Sequence, residues 1–142
     1  MYTFSIITSN LVQTITPFIK LLNQIIPENI LQARLCEMIH QKYECIVVYS
    51  GSNLIGIAGI WIRTNYYFGK HIQPESVIIL PEYRNKVIGD LLIRWIYSYG
   101  QKQGCVGSEL NCYTSNTKGI KFWLNQHCKI IGFRLQKIFN RV

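Results

Sequence analysis

Acidic residues are scarce in this chain: 7 Asp and Glu stand against 15 Lys and Arg, for a net charge of +8 over 142 residues. That balance favours anionic partners such as a nucleotide cofactor, nucleic acid or an acidic surface, and charge alone does not choose among them. Long apolar runs are absent too. None approaches the ~20 residues that span a bilayer, and the start has no basic segment followed by a long apolar stretch and a small-residue cleavage site, so a cytoplasmic location is expected. There is no Cys-x-x-Cys pair among Cys36, Cys45, Cys105, Cys112 and Cys128. An odd set without such spacing indicates neither a disulfide framework nor a zinc site, and reduced, mostly buried thiols are expected. His71 and His127 are isolated, with no third ligand at a suitable spacing, so no metal is expected. An early Gly-x-Gly-x-x-Gly is missing, which opposes a doubly wound nucleotide fold. Repeats, low-complexity tracts and linker-like stretches are likewise missing, so residues 1–142 read as one domain. That length should bury about two thirds of the unfolded surface.

What is present is a regular succession of elements. Phe4 to Thr8 reads as a strand, closed by Ser9 and Asn10. Ile15, Phe18, Ile19, Leu22 and Ile25 or Ile26 have helical spacing that Pro27 breaks. Ile30, Leu31, Arg34, Leu35, Met38 and Ile39 carry a second helix. Glu44 to Ser50 and Leu54 to Thr64 flank Gly51-Ser52-Asn53 as a hairpin. His71 to Leu80 is a fourth strand in which Pro74 marks an irregular or bulged position. Ile88 to Lys102 is an amphipathic helix with Leu92, Trp95, Ile96 and Tyr99 as its buried stripe, ended at Gly104. Gly107 to Tyr113 reads as a strand, Ser115 to Gln126 as a helix, and Lys129 to Phe139 as one or two closing strands. Three consecutive early strands and a late strand-helix-strand crossover predict an α+β sandwich around a partly antiparallel sheet.

Within this order, Val77-Ile78-Ile79-Leu80-Pro81-Glu82-Tyr83-Arg84-Asn85-Lys86-Val87-Ile88-Gly89-Asp90 is the most telling stretch. A strand ends, a proline stops it, a basic turn follows and a helix begins. A helix start leaves amides unpaired at the positive end of its dipole, which is a place to hold phosphate. Arg84 and Lys86 could merely decorate the surface. However, positive charge opposes the dipole at a helix N-terminus, so an anion-binding purpose is the better reading.

The segment resembles the acetyl-CoA signature of the GNAT N-acetyltransferase superfamily, in which a strand runs through Pro-x-x-Arg or Gln into x-x-Gly-x-Gly or Ala. Val87 stands where the first glycine is usual. A β-branched residue tolerates positive φ poorly, so if the loop needs a left-handed conformation it must differ from the usual one or bind phosphate less well. Asn116-Thr117-Lys118-Gly119-Ile120-Lys121-Phe122-Trp123 is similar to the family's Asn-x-x-Ala-x-x-Phe-Tyr, and His127-Cys128 stands where Gly-Phe is usual. Gly69-Lys70-His71-Ile72 and Glu75-Ser76 resemble the approach to its central strand.

The resemblance implies a three-layer α/β/α fold, with a mixed, mostly antiparallel sheet and two central strands splayed around the pantetheine arm of acetyl-CoA. It implies backbone partners for that arm at Val77, Ile78 and Ile79, and a pyrophosphate cradle of Arg84, Asn85, Lys86, Val87, Ile88, Gly89 and Asp90. Asn116 would contact the arm, or serve only as a helix cap. Phe122 would pack below it, and Trp123 takes the place of a tyrosine that often reprotonates the departing thiolate. The implied activity is acetyl transfer from acetyl-CoA to a primary amine by direct attack, without metal or covalent intermediate. Glu75 is the first candidate base and Glu109 the second, and Tyr113 is a substitute acid. No nucleophilic cysteine is expected. The replacements at 87, 123 and 127 also suit a weak or inactive acyl-CoA-binding protein. Nucleic-acid binding is disfavoured because no helix carries a dense basic stripe. The helix pair before residue 40 would cover the substrate, and the strands from Ile130 to Phe139 offer an edge for a homodimer.

Overall fold

The computed structural model describes residues 1–140, apart from the side chain of Lys86. The chain divides into two compact units, Met1–Leu110 and Asn111–Val142. The first holds β1 (Tyr2–Ile6), α1 (Leu11–Leu22), α2 (Glu28–His40), β2 (Glu44–Ser50), β3 (Asn53–Asn65), β4 (Gly69–Ile79), a 3-10 turn (Pro81–Tyr83), α3 (Lys86–Lys102) and β5 (Gly107–Ser108). The second holds α4 (Thr117–Asn125).

The strands lie side by side in chain order, β1 to β4 antiparallel and β5 parallel to β4. This mixed sheet is the one expected. The β2–β3 hairpin turns tightly, with Ser50 opposite Asn53 and Gly51 at φ 61°; a two-residue turn calls for a positive φ, which glycine adopts freely. Both faces of the sheet are covered. On one, Ile15 and Phe18 of α1 and Leu31 and Leu35 of α2 pack with Tyr43, Cys45, Val47, Ile57, Trp61 and Ile78. On the other, Ile88, Leu92, Ile93 and Ile96 of α3 are buried. There a Cβ on Gly100 would lie 2.9 Å from Ile72 Cγ2, which brings the α3 backbone hard against β4. A fully buried isoleucine such as Ile57 or Ile60 contributes about 1.5–3 kcal/mol. Trp95 of the expected buried stripe is only half-buried, stacked on Tyr99 at 5.6 Å.

β4 carries the irregularity expected near Pro74. Glu75 lies opposite Gly59, but Ile78 lies opposite Ile57, so β4 has one surplus residue in between, and Ser76 sits there at φ 51°. The bulge therefore falls at Ser76, and Pro74 itself stays in register with Ile60. The reason is directional. The Ile72 carbonyl accepts from Glu109 on the β5 side, so the main chain of residue 74, two positions on, faces that same side beyond the end of β5. Proline's missing N–H costs no ladder bond there.

Several boundaries differ from expectation. β1 is Tyr2–Ile6 rather than Phe4 to Thr8, and α3 begins at Lys86, two residues early. β5 stops at Ser108 instead of Tyr113, and among the described residues no strand forms between Lys129 and Phe139. Ile130, Ile131, Phe133, Leu135 and Phe139 of that segment are exposed. Alternating apolar residues specify which face a strand would bury, whereas a strand exists only where a neighbour accepts its hydrogen bonds. In the second unit α4 ends in a Schellman turn: His127 is left-handed at φ 68° and the Cys128 N–H bonds the Trp123 carbonyl at 3.1 Å.

Candidate active site

β5 pairs with β4 only at His71 with Gly107 and Ile72 with Ser108. Beyond Ile72 the edge of β4 has no strand partner within Met1–Leu110. This is the parting of central strands that was expected. The Leu80 N–H bonds the Ile55 carbonyl at 2.8 Å, so by strand alternation Ile78 faces β3 with its main chain and Ile79 faces the open edge. Ile78 instead buries its side chain in the α1–α2 core, at 4% exposure. Val77 is half-buried directly after the bulge.

The open edge leads through the 3-10 turn into α3. Arg84 folds back, its Nε–H donating to the Ile79 carbonyl at 2.8 Å. Asn85 caps the helix, its Oδ1 accepting the Ile88 N–H at 2.9 Å. The Gly89 N–H reaches the Asn85 carbonyl at 3.4 Å, and Asp90 follows within the first turns. The amides of Lys86 and Val87, first and second in the helix, have no carbonyl four residues back within it, and they stand at its positive end. Val87 has an ordinary negative φ and an exposed side chain. The left-handed conformation that would have penalised a valine does not arise. The corner offers a diphosphate main-chain donors, and its residue types are correspondingly unconstrained.

Glu75 lies on the face covered by α1 and α2, exposed, one bulge before Ile78. Its Oε2 accepts the indole N–H of Trp61 at 2.6 Å. Trp61 packs against Tyr43, with ring centroids 5.1 Å apart, and beneath Arg63, whose guanidinium carbon lies 4.7 Å from the ring centroid. Tyr43 lies across Gly59, where a Cβ would meet its hydroxyl at 2.1 Å. Burial, then Cys45 and Glu75 nearby, push the Tyr43 hydroxyl far up, so it stays neutral. Sequence reasoning missed Trp61, Tyr43 and Arg63. Trp61 and Arg63 are two residues apart on β3, which puts them on one face, but nothing in the chain announces that this face meets Glu75.

Glu109 is not a lone charge. Its Oε1 lies 3.6 Å from His71 Nε2 and 3.5 Å from Asn65 Nδ2, while His71 Nδ1 pairs with the Gly69 carbonyl at 2.9 Å. His71, read as isolated, is thus a buried partner of Glu109. Among the described residues no three His, Cys, Asp or Glu side chains gather as a metal site would need. In the second unit Asn116 caps α4, its Oδ1 accepting the Gly119 N–H at 3.0 Å. A Cβ at 119 would lie 2.4 Å from the Asn116 side-chain amide as it is placed here. Phe122 and Trp123 are half-buried and pack edge to face at 5.1 Å. Tyr113 is 85% exposed and lies outside any strand.

The first unit thus presents a β4 edge that is open beyond Ile72 within Met1–Leu110 and leads into a capped helix start. A profile of the Acetyltransferase (GNAT) family matches residues 16–127, and the chain belongs to that family. No curated protein matches the chain in sequence. Among solved structures it is similar to a "possible acetyltransferase" from Clostridium difficile 630, with TM-score 0.83 and 15% identity over 99% of both chains. It is similar also to an aminoglycoside N-acetyltransferase in complex with CoA, with TM-score 0.78 and 18% identity over 99% of this chain and 94% of that one. A third is glucosamine-6-phosphate N-acetyltransferase from Arabidopsis thaliana, with TM-score 0.66 and 19% identity over 97% of this chain and 99% of that one.

Proposed function

We propose that this protein is an N-acetyltransferase that moves the acetyl group of acetyl-CoA directly to a primary amine. The observation that carries the reading is the β4 edge from Gln73 to Ile79, which has no strand partner within Met1–Leu110 and runs into the Asn85-capped start of α3. The pantetheine amides would pair along that edge with the main chain of Val77 and the N–H of Ile79, whose carbonyl already accepts from Arg84, and the diphosphate would sit on the amides of Lys86 and Val87. Asn116 and Phe122 of the second unit are assigned to the cofactor by their likeness to the family pattern. Such neighbours as the CoA-bound aminoglycoside enzyme support this choice of co-substrate.

The acceptor arrives as an ammonium ion. Glu75 takes its proton, the freed lone pair attacks the thioester carbonyl carbon, the C–N bond forms and the C–S bond breaks. Orientation on a fixed strand supplies much of the rate, on the order of 7–11 kcal/mol when geometry is near ideal. As the C–S bond breaks, nitrogen loses its second proton to water, and the departing thiolate takes up one proton from water or from the Tyr113 hydroxyl, which that released proton then restores; the indole N–H at Trp123 has no usable acidity. Residues 1–142 act on this reading as one acyl-CoA-binding domain in the cytoplasm. The exposed Ile131, Phe133 and Leu135 suit contact with a second subunit.

The test is calorimetry with acetyl-CoA, followed by thiol release over a panel of peptide, amino-acid, polyamine, aminoglycoside and amino-sugar phosphate acceptors. Binding with turnover of at least one amine is expected. Binding without any turnover favours the second reading, an inactive acyl-CoA binder, to which the indole at 123 already points. Failure to bind acetyl-CoA refutes both.

A further inference from the structure

We propose that Trp61 is the positioning residue of this transferase, its indole N–H holding one oxygen of Glu75 so that the other is presented to the acceptor amine. The inference rests on the transferase reading above and adds to it a residue that no sequence motif marks.

Glu75 projects from β4 one residue before the bulge at Ser76, on an exposed stretch where a carboxylate has many rotamers open to it. A base must lie within hydrogen-bond reach of the proton it takes, so such freedom would cost rate. Trp61 removes it. The residue is 7% exposed, and its donor reaches Glu75 Oε2 diagonally across the β3–β4 pair at 2.6 Å. The indole cannot drift, because Tyr43 packs on it at 5.1 Å and Arg63 lies over it at 4.7 Å. Tyr43 is in turn fixed, 3% exposed and laid across a glycine that leaves no room for a side chain. The chain of support therefore runs from Gly59 through Tyr43 and Trp61 to the carboxylate. An indole N–H only donates, so it fixes Oε2 as an acceptor and leaves Oε1 for the incoming proton. In the step itself the ammonium N–H bond breaks, an O–H bond forms on Oε1, and the pair left on nitrogen becomes the nucleophile.

The competing explanation is structural: a buried indole N–H needs an acceptor, and Glu75 supplies one. Kinetics on Trp61→Phe, Glu75→Gln and the double variant separate the two, using the best amine from the acceptor panel. Glu75→Gln should lower kcat by roughly 10²–10⁴-fold. Trp61→Phe should lower kcat about tenfold or more while KM for acetyl-CoA stays within about twofold, and Trp61→His, which keeps a ring donor, should recover most of it. The double variant should be no slower than Glu75→Gln, since Trp61 acts only through that carboxylate. Should Trp61→Phe not fold, Trp61→Leu, which likewise lacks a donor, takes its place in the same cycle. A normal kcat in Trp61→Phe beside a slow Glu75→Gln overturns the positioning role and leaves the transferase intact. Losses that multiply in the double variant also overturn it, as does a normal rate in Glu75→Gln. A wild-type protein that acetylates no amine overturns the transferase reading itself.

Discussion

Gly59→Ala is the sharpest test of how the face around Glu75 is built. The new methyl would lie 2.1 Å from the Tyr43 hydroxyl oxygen and 2.7 Å from ring carbons Cε1 and Cζ. The obstacle is a rigid ring, 3% exposed and packed on Trp61, so it has no flexible end that can swing aside. Overpacking of this kind costs about 1–3 kcal/mol, and a disturbed aromatic pair adds about 0.5–1.5 kcal/mol. Against this, Gly to Ala restricts the unfolded chain and returns about 0.4–1 kcal/mol. The net expectation is a loss of about 2 kcal/mol, read as a fall in Tm of about 4–8 °C at this chain length. Thermal and urea unfolding measure it, and the Tyr43→Leu background supplies the control, since the clash should vanish there and the two changes should not add. A Gly59→Ala protein within about 0.5 kcal/mol of the parent would refute the packing described for Tyr43, and with it the support proposed for Trp61.

Three further outcomes are expected. Asn85→Ala removes the acceptor of the Ile88 N–H and should cost about 0.5–2 kcal/mol, whereas Asn85→Asp keeps the cap but places a negative charge where a diphosphate would sit; calorimetry should show weaker acetyl-CoA binding at unchanged Tm, and unchanged affinity would argue against the corner. His127→Gly relieves a left-handed residue at the end of α4, where a side chain is strained by about 1–2 kcal/mol, so a modest rise in urea midpoint is expected and a fall would refute the strain. Alkali should destabilise the fold. Burial pushes the Cys45 thiol from 9.0 up to about 12, and burial and then the Glu44 hydrogen bond push Tyr99 from 10.0 up to about 12. The unfolded chain loses these protons first, so stability is whole below about pH 9 and falls as pH rises from there toward about 12. Urea midpoints at about pH 7.5 and about pH 10 test the sign, and a higher midpoint in alkali would contradict it.

The strand-to-helix corner was legible because its signals are local. Pro81, Asn85 and the apolar spacing of α3 act within a few residues of one another, and the hairpin at Gly51 is equally short-range. The same locality explains the errors. Lys129 to Phe139 has the alternation of a strand, but pairing is decided by a neighbour elsewhere in the chain. His71 looked isolated because its partner Glu109 is far away in sequence and arrives only through the parallel pairing of β5 with β4.

By itself, then, the sequence determined the order of elements, the helix that receives the corner, and the presence of a carboxylate on the fourth strand, since each follows from side chains acting on their own stretch of backbone. Tertiary structure decided what that carboxylate meets. The extra residue at Ser76 shifts the alternation of β4 so that Glu75 and Ile78 share one face, and register with β3 then brings Trp61 within hydrogen-bonding distance. Because side chains in a strand alternate with period two, a single surplus residue changes which groups face each other, and only the assembled sheet fixes where that residue goes.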